Sequence, residues 1–233
     1  GDYIGYGLEA SELVGIPDPE TFSQLPWDKR VARVFCTCFR NREERENPGG
    51  HLTSDCRGNL RIIHNEFQDK YDGLHMRCGT EPEMMWLKRG EDGRPNGGVT
   101  KPNCYHIDQF EELRPTFMKV IEYSQAMGLD IIQGDHEDAP GQLELNTMYD
   151  DVLRNADRLT TYRQICAQVA REDGLIACFM SKPFMGVSAS GCHHNMSLWR
   201  GGNDTVNDLH FDKLPGMAGA FTYLVGGDNT LMP

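Results

Sequence analysis

Residues Asp135-His136-Glu137-Asp138-Ala139-Pro140-Gly141-Gln142-Leu143-Glu144-Leu145-Asn146 run from an acidic cluster through a Pro-Gly turn into a strict alternation. From Gln142 the pattern has period two. It sends Leu143 and Leu145 to a buried face and Gln142, Glu144 and Asn146 to the other. That is a half-buried strand, and its polar face carries a carboxylate. Four acids lie within ten residues beside it. Carboxylate oxygens are the hard donors that Mg²⁺ and Mn²⁺ prefer, whereas a polar loop beside an amphipathic strand is the plain alternative.

Two further segments carry the same kind of chemistry. Upstream lies Thr80-Glu81-Pro82-Glu83. Residues i and i+2 of a strand share a face, so Glu81 and Glu83 stand side by side, about 7 Å apart at Cβ. Two such anions repel unless water or a cation screens them. Pro82 cannot donate to a ladder, which predicts an edge strand or one bordering an opening. Downstream lies Ser190-Gly191-Cys192-His193-His194-Asn195-Met196-Ser197-Leu198-Trp199. One face presents His193, Asn195, Ser197 and Trp199, and the other is mostly apolar.

Around these segments the chain reads as alternating strands and helices. Residues 1–28, with Pro17, Pro19 and Pro26, read as loop, and 31–39 (VARVFCTCF) as a buried strand. Residues 40–51 form a charged turn, 74–88 a strand and 89–104 a loop. A helix is expected from an Asp108 cap, with Glu111 completing a capping box, to Gly128, and Pro115 kinks or delays its start. Strands are expected at Leu129–Gln133, 142–148, 175–180 and 191–199, with a helix over 150–173 stopped by Gly174. The order predicts an α+β fold, an antiparallel sheet lining a site with helices packed behind it.

The bulk properties exclude several classes. The chain has 233 residues, 39% hydrophobic and 25% charged, which is a globular balance. Its formal charge of −12 disfavours nucleic-acid and anionic-membrane partners, which need a basic face. No apolar run approaches a membrane span, and Gly1–Gly7 has no secretory pattern, so the expected location is cytoplasmic. The missing initiator Met points to a processed or trimmed chain. The eight cysteines form no C-x-x-C pair, so they are expected to be reduced and to act as small core hydrophobes rather than zinc ligands.

Taken together, the three segments resemble the glutamine synthetase family. HEDAPGQLELN (136–146) resembles its glutamate-metal motif, FMSKPFMGVSASGCHHNMSLW (179–199) its Lys-Pro and Ser-Gly-x-His nucleotide segment, and Thr80–Glu83 its Glu-x-Glu strand. ADRLTTYR (156–163) falls where that family has a connecting helix. The resemblance spans most of residues 75–200. It implies an ATP-dependent ligase that joins the γ-carboxylate of glutamate to ammonia or a small amine through γ-glutamyl phosphate, with Mg²⁺ or Mn²⁺ and ATP. It implies that Glu83, Glu137 and Glu144 hold one divalent ion, and that Glu81 and His193 contribute to a second one bridging the ATP phosphates. Glu137, Glu144 and His193 would be the catalytic set. Tyr149, Asn195 and Ser197 would line the ATP pocket, and Glu83, Glu137, Ala189, Gly191 and His193 the amino-acid site. Ser188-Ala189 stands where the family has Asn-Gly, which bears on amine specificity. The motif is somewhat closer to relatives using alkylamines or polyamines, such as γ-glutamylmethylamide and γ-glutamylpolyamine synthetases.

The resemblance also implies a homo-oligomer of stacked rings, of the dodecamer type. Residues 1–70 would be the remnant of an N-terminal β-grasp-like domain with its linker, and 71–233 a catalytic domain lacking its C-terminal part. The family's further substrate-binding Arg residues, another metal-binding Glu and a flap Glu would lie beyond Pro233. Two other readings stand beside the ligase: an inactive scaffold or regulatory relative, and a metal-dependent hydrolase using the same carboxylates.

Overall fold

The computed structural model describes residues 13–40, 52–100, 104–200 and 204–205. Its contacts divide the chain into one unit of residues 1–76 with 199–204 and another of 77–198 with 205–233.

The first unit contains two short antiparallel ladders and a helix. β1 (Val14–Pro17) pairs with β4 (Cys36–Phe39), and β2 (Ser23–Leu25) with β3 (Asp28–Arg33). The expected loop over 1–28 is therefore partly strand where it is described. The single buried strand over 31–39 is instead two half-exposed ones, with Val31 and Val34 both open to solvent. α1 (Cys56–Lys70) lies in a stretch whose sequence showed no element. Its apolar positions are sparse and interrupted by polar residues, and among its residues only Gly58 is buried. Asp55 leads into it and accepts the Cys38 backbone N–H at 2.9 Å.

The second unit is built on β5 (His75–Arg89). It continues through β6 (Pro95–Gly98), α2 (Ile107–Glu112), α3 (Arg114–Ala126), β7 (Ile131–His136), β8 (Gln142–Thr147), β9 (Asp150–Asp151), α4 (Val152–Glu172), β10 (Leu175–Cys178) and β11 (Cys192–Arg200). The sheet runs in the order β11-β5-β8-β7, with β6, β9 and β10 also paired to β5. The registered pairs of β5 with β6, β8, β9 and β10, and of β7 with β8, are antiparallel. The expected α+β sheet with helices behind it is the observed architecture.

Several local expectations change. β5 is a central strand rather than an edge. Pro82 is tolerated there because it falls between Arg77–Cys78, which pair with β9, and Glu83–Met85, which pair with β8. The helix expected from Asp108 is two helices that meet at Leu113, with Pro115 in the first turn of the second. Asp108 lies inside the first turn of α2 and makes no cap; His106 occupies that position. The 129–133 strand starts and ends later, at 131–136, β10 stops at Cys178, and β6 interrupts the expected 89–104 loop. α4 follows its expectation closely. Asp151 accepts the Leu153 N–H at 2.9 Å, and Gly174 follows the helix with φ +68°. Of the eight cysteines only Cys78, Cys166 and Cys178 are buried; all are free thiols.

The core lies behind the sheet. Met84, Trp86, Leu143 and Leu145 are essentially inaccessible. Asn155 of α4 reaches through to Thr80 Oγ1 at 2.6 Å, and Phe110 of α2 approaches Gly134 of β7. Both helices therefore cover the face opposite Glu81 and Glu83. Among the described residues no helix is long and apolar enough to cross a membrane.

Candidate active site

The other face of the sheet concentrates carboxylates. Glu83 of β5 lies directly opposite Glu144 of β8, and Glu144 directly opposite Asp135 of β7. Three acids thus stand in one row across three adjacent strands, where facing Cβ atoms are about 4.5–5.5 Å apart and like charges repel. Glu81 precedes Glu83 by two residues and Glu137 follows Asp135 by two, so both flank the row. Among the described residues, Glu83, Glu137 and Glu144 have no Lys or Arg ion pair.

Each acid is held by specific donors. Glu144 is 92% buried, because the polar face expected to be open is closed over, and its Oε1 accepts from Asn146 Nδ2 at 2.7 Å. Glu83 Oε2 accepts from Gln142 Nε2 at 2.9 Å and from the Gly191 backbone N–H at 3.0 Å. Glu81 accepts from Asn195 Nδ2 at 2.8 Å and lies 3.4 Å from His193 Nδ1. Asp135 accepts from Gln133 Nε2 at 2.6 Å.

The crowding shows in the proton affinities. Burial, and then the charges of Glu83, Glu144, Asp135 and Asp138, push the Glu137 carboxyl up to about 7. Glu144 is raised mainly by burial, partly offset by its bond from Asn146 and reinforced by Glu81, Glu83 and Asp135. The charges acting on Glu137 and Glu144 thus come from acids on all three strands. The hard oxygen set suits a divalent cation of the magnesium kind. Among the described residues, however, no group of three His, Cys, Asp or Glu side chains is drawn together closely enough to hold a metal ion.

The hairpin between β7 and β8 sets the geometry. Glu137 N–H donates to Gln142 O, and Gly141 turns the chain at φ +70° with its N–H on Thr100 Oγ1 at 2.7 Å. A Cβ at Gly141 would come within 2.4 Å of Trp86 O, so the close approach requires glycine. Segment 181–191 is tied down opposite. Ser190 N–H donates to Ser181 O, Ser188 Oγ to Asp138, and Ala189 O accepts from Gln142.

The expected site residues fall into two groups. Glu81, Glu83, Glu137, Glu144, Ala189, Gly191 and His193 meet on one face or at its rim. Of the expected ATP set, Asn195 joins Glu81 in that group, whereas Tyr149 stands beside Gly79, farther along β5, and Ser197 lies along β11. Tyr149 and Ser197 do not line the cavity of about 120 Å³ on the α4 side, which Glu83 and Gly191 of the expected site border together with Pro82, Leu159, Arg163 and Phe179. Two residues missing from the expected set belong to it. Asp135 completes the row; its spacing to Glu137 signals this once β7 is carried through to His136. Gln142 bonds Glu83; its place on the Glu144 face was legible, its partners were not.

Comparison with known proteins then adds to this geometry. The family profile described as "Glutamine synthetase, catalytic domain" matches residues 53–231. The glutamine synthetase of Methanococcus voltae is 32% identical over 206 residues, covering 86% of this chain and 44% of that protein. A solved GmaS–ADP complex superposes with TM-score 0.76 at 28% identity, over 88% of this chain and 46% of the other. GmaS without ligand gives TM-score 0.77 at 27% identity, over 90% and 48%. The chain thus spans less than half the length of these relatives.

Proposed function

The chain belongs to the glutamine synthetase family, and from that we propose that it forms part of the active site of an ATP-dependent ligase joining the γ-carboxylate of glutamate to ammonia or a small amine. The observation that carries this reading is the Glu83–Glu144–Asp135 row, flanked by Glu81 and Glu137. Carboxylates facing one another at this spacing destabilise a sheet unless cations occupy the face. The donor set is oxygen-rich and the acids are oriented by amide donors, which fits Mg²⁺ or Mn²⁺. Glu83, Glu137 and Glu144 would hold one ion, and Glu81 and His193 would contribute to a second. Such ions neutralise and align the transferring phosphoryl group.

In the reaction proposed, a γ-carboxylate oxygen of glutamate attacks the γ-phosphorus of ATP, the bond to the bridging oxygen breaks, and ADP leaves. The cationic amine first gives up a proton to free its lone pair; the neutral nitrogen then attacks the acyl carbon, phosphate departs with the C–O bonding pair, and a second proton leaves the nitrogen. The acidic face concentrates the cationic amine beside the acyl phosphate. Ala189 and Gly191 would border the glutamate, and Asn195, Ser197 and Tyr149 the nucleotide. The ADP complex among the solved neighbours supports a nucleotide substrate. We assign residues 71–233 to the catalytic domain, 1–70 to an N-terminal domain with its linker, and the assembly to a stacked-ring homo-oligomer.

The test is phosphate release by the full-length protein with ATP, Mg²⁺ or Mn²⁺, glutamate and a panel of amines. Release that requires both glutamate and an amine is the expected result. Release without either would replace the ligase with a hydrolase, and metal-linked stabilisation without turnover would leave an inactive scaffold.

A further inference from the structure

Gln142 is 99% buried, and its carboxamide is used completely. Its Oε1 accepts the Ala139 N–H at 2.8 Å, closing the β7–β8 turn. Its Nε2 faces three acceptors: Glu83 Oε2 at 2.9 Å, Ala189 O at 3.0 Å and Ser190 Oγ at 3.2 Å. An amide nitrogen has two protons, so the three acceptors share them. The charged Glu83 oxygen makes the strongest claim.

Glu83 responds in a specific way. Both of its recorded hydrogen bonds, from Gln142 and from the Gly191 N–H, fall on Oε2. Its Oε1 takes no hydrogen bond among the described residues and packs against Gly191, where an added Cβ would lie 3.0 Å from Glu83 Oε1 and 3.0 Å from His193 Nε2. One carboxylate oxygen is therefore committed to the scaffold, and the other is left without a donor.

We propose that Gln142 is a positioning residue: it fixes the Glu83 carboxylate so that only Oε1 is offered to a cation, and it ties that carboxylate to the 189–191 segment bordering the substrate. The proposal rests on Glu83 being a metal ligand, as assigned above. Because one amide holds the ligand, the Ala189 carbonyl and the Ser190 hydroxyl, a shift of that segment changes the donor geometry at Glu83, and a bound cation orders the segment in turn. Loss of an outer partner of this kind typically weakens metal binding about 10–100-fold.

The experiment is titration of full-length wild type and Gln142→Met with Mn²⁺, following free Mn²⁺ by EPR, with KM and kcat for glutamate measured in parallel. Met keeps the length and fills the space but donates nothing. The expected result is a Kd for Mn²⁺ raised at least tenfold and a raised KM for glutamate in protein whose near-UV CD shows it folded, with a lower metal-free Tm from the lost Ala139 bond in either case. A merely structural role would lower the metal-free Tm and leave the Kd of the folded fraction unchanged, which overturns the proposal. If Gln142→Met does not fold, Gln142→Asn, which keeps the amide but retracts it by one methylene, is read in the same titration, and an unchanged Kd there overturns it equally. Wild type that binds no Mn²⁺ would instead sink the metal assignment of Glu83, and the proposal with it.

Discussion

Glu137 carries the clearest consequence of anion crowding. Its carboxyl holds a proton up to about pH 7, against 4.5 for an unperturbed glutamate. Between those values the folded chain keeps a proton that the unfolded chain has released. Stability contributed by this group is therefore full below about 4.5 and lost as the pH rises through 7. Glu137→Gln removes that dependence. In metal-free protein, thermal melts should give equal Tm values for variant and wild type near pH 4.5. Above pH 7 the variant should melt several °C higher, at about 2–4 °C per kcal/mol for a chain of this size. The same variant should lose ligation, as measured by phosphate release. A substitution that stabilises the metal-free fold while abolishing activity is the mark of charge held together for function. A Tm difference independent of pH would show that Glu137 is not crowded as described.

At the scale of elements, the β7–β8 hairpin decides where the acids go. The alternation over 142–146 was legible because a strand alternates with period two, and it put Glu144 on the correct face. The end of β7 was not legible, because DHED carries no β-branched or aromatic residue to signal a strand. Only pairing with β8 draws it into the sheet, in the register Asp135↔Glu144 and His136↔Leu143. Of the two readings of Pro82, the edge strand fails, because the missing donor falls in a gap between partners, whereas the strand does border the cavity on the α4 side. α4 was readable from its spacing and Gly174, both local features. Gly141 is the pivot of the hairpin. Gly141→Ala places a Cβ against Trp86 O and Val99 N at a positive φ. The backbone strain alone costs of order 1–3 kcal/mol. Thermal melts should show Tm reduced by at least about 5 °C, and Mn²⁺ titration should show weaker binding, because Gln142 and Glu137 are neighbours of the strained residue. A Tm unchanged from wild type would mean the turn relaxes in a way these contacts do not allow.

For the whole molecule, a net charge of −12 is partly concentrated on one sheet face. Diffuse surface charge is screened by any salt, whereas a half-buried row is screened poorly by monovalent ions and well by a bound divalent one. Millimolar Mg²⁺ should therefore raise Tm far more than NaCl at matched ionic strength. At 100-fold excess over its Kd the gain is about 2.7 kcal/mol, and chelation should reverse it. Equal shifts from the two salts in a calorimetric scan would indicate screening alone and argue against a cation site.

The amino-acid order was sufficient for the class of fold, the strands and the shared face of Glu81, Glu83 and Glu144, and the family, because side-chain periodicity and motif spacing are local and survive without a neighbour. Which strands lie beside β5, how far β7 extends, that Asp135 joins the row, and that Gln142 rather than water or a lysine holds Glu83 were decided by tertiary pairing. Those facts depend on register between segments far apart in the chain, 59 residues for Glu83 and Gln142 and 108 for Glu83 and Gly191, and no local pattern encodes the register of one strand against another until both are packed.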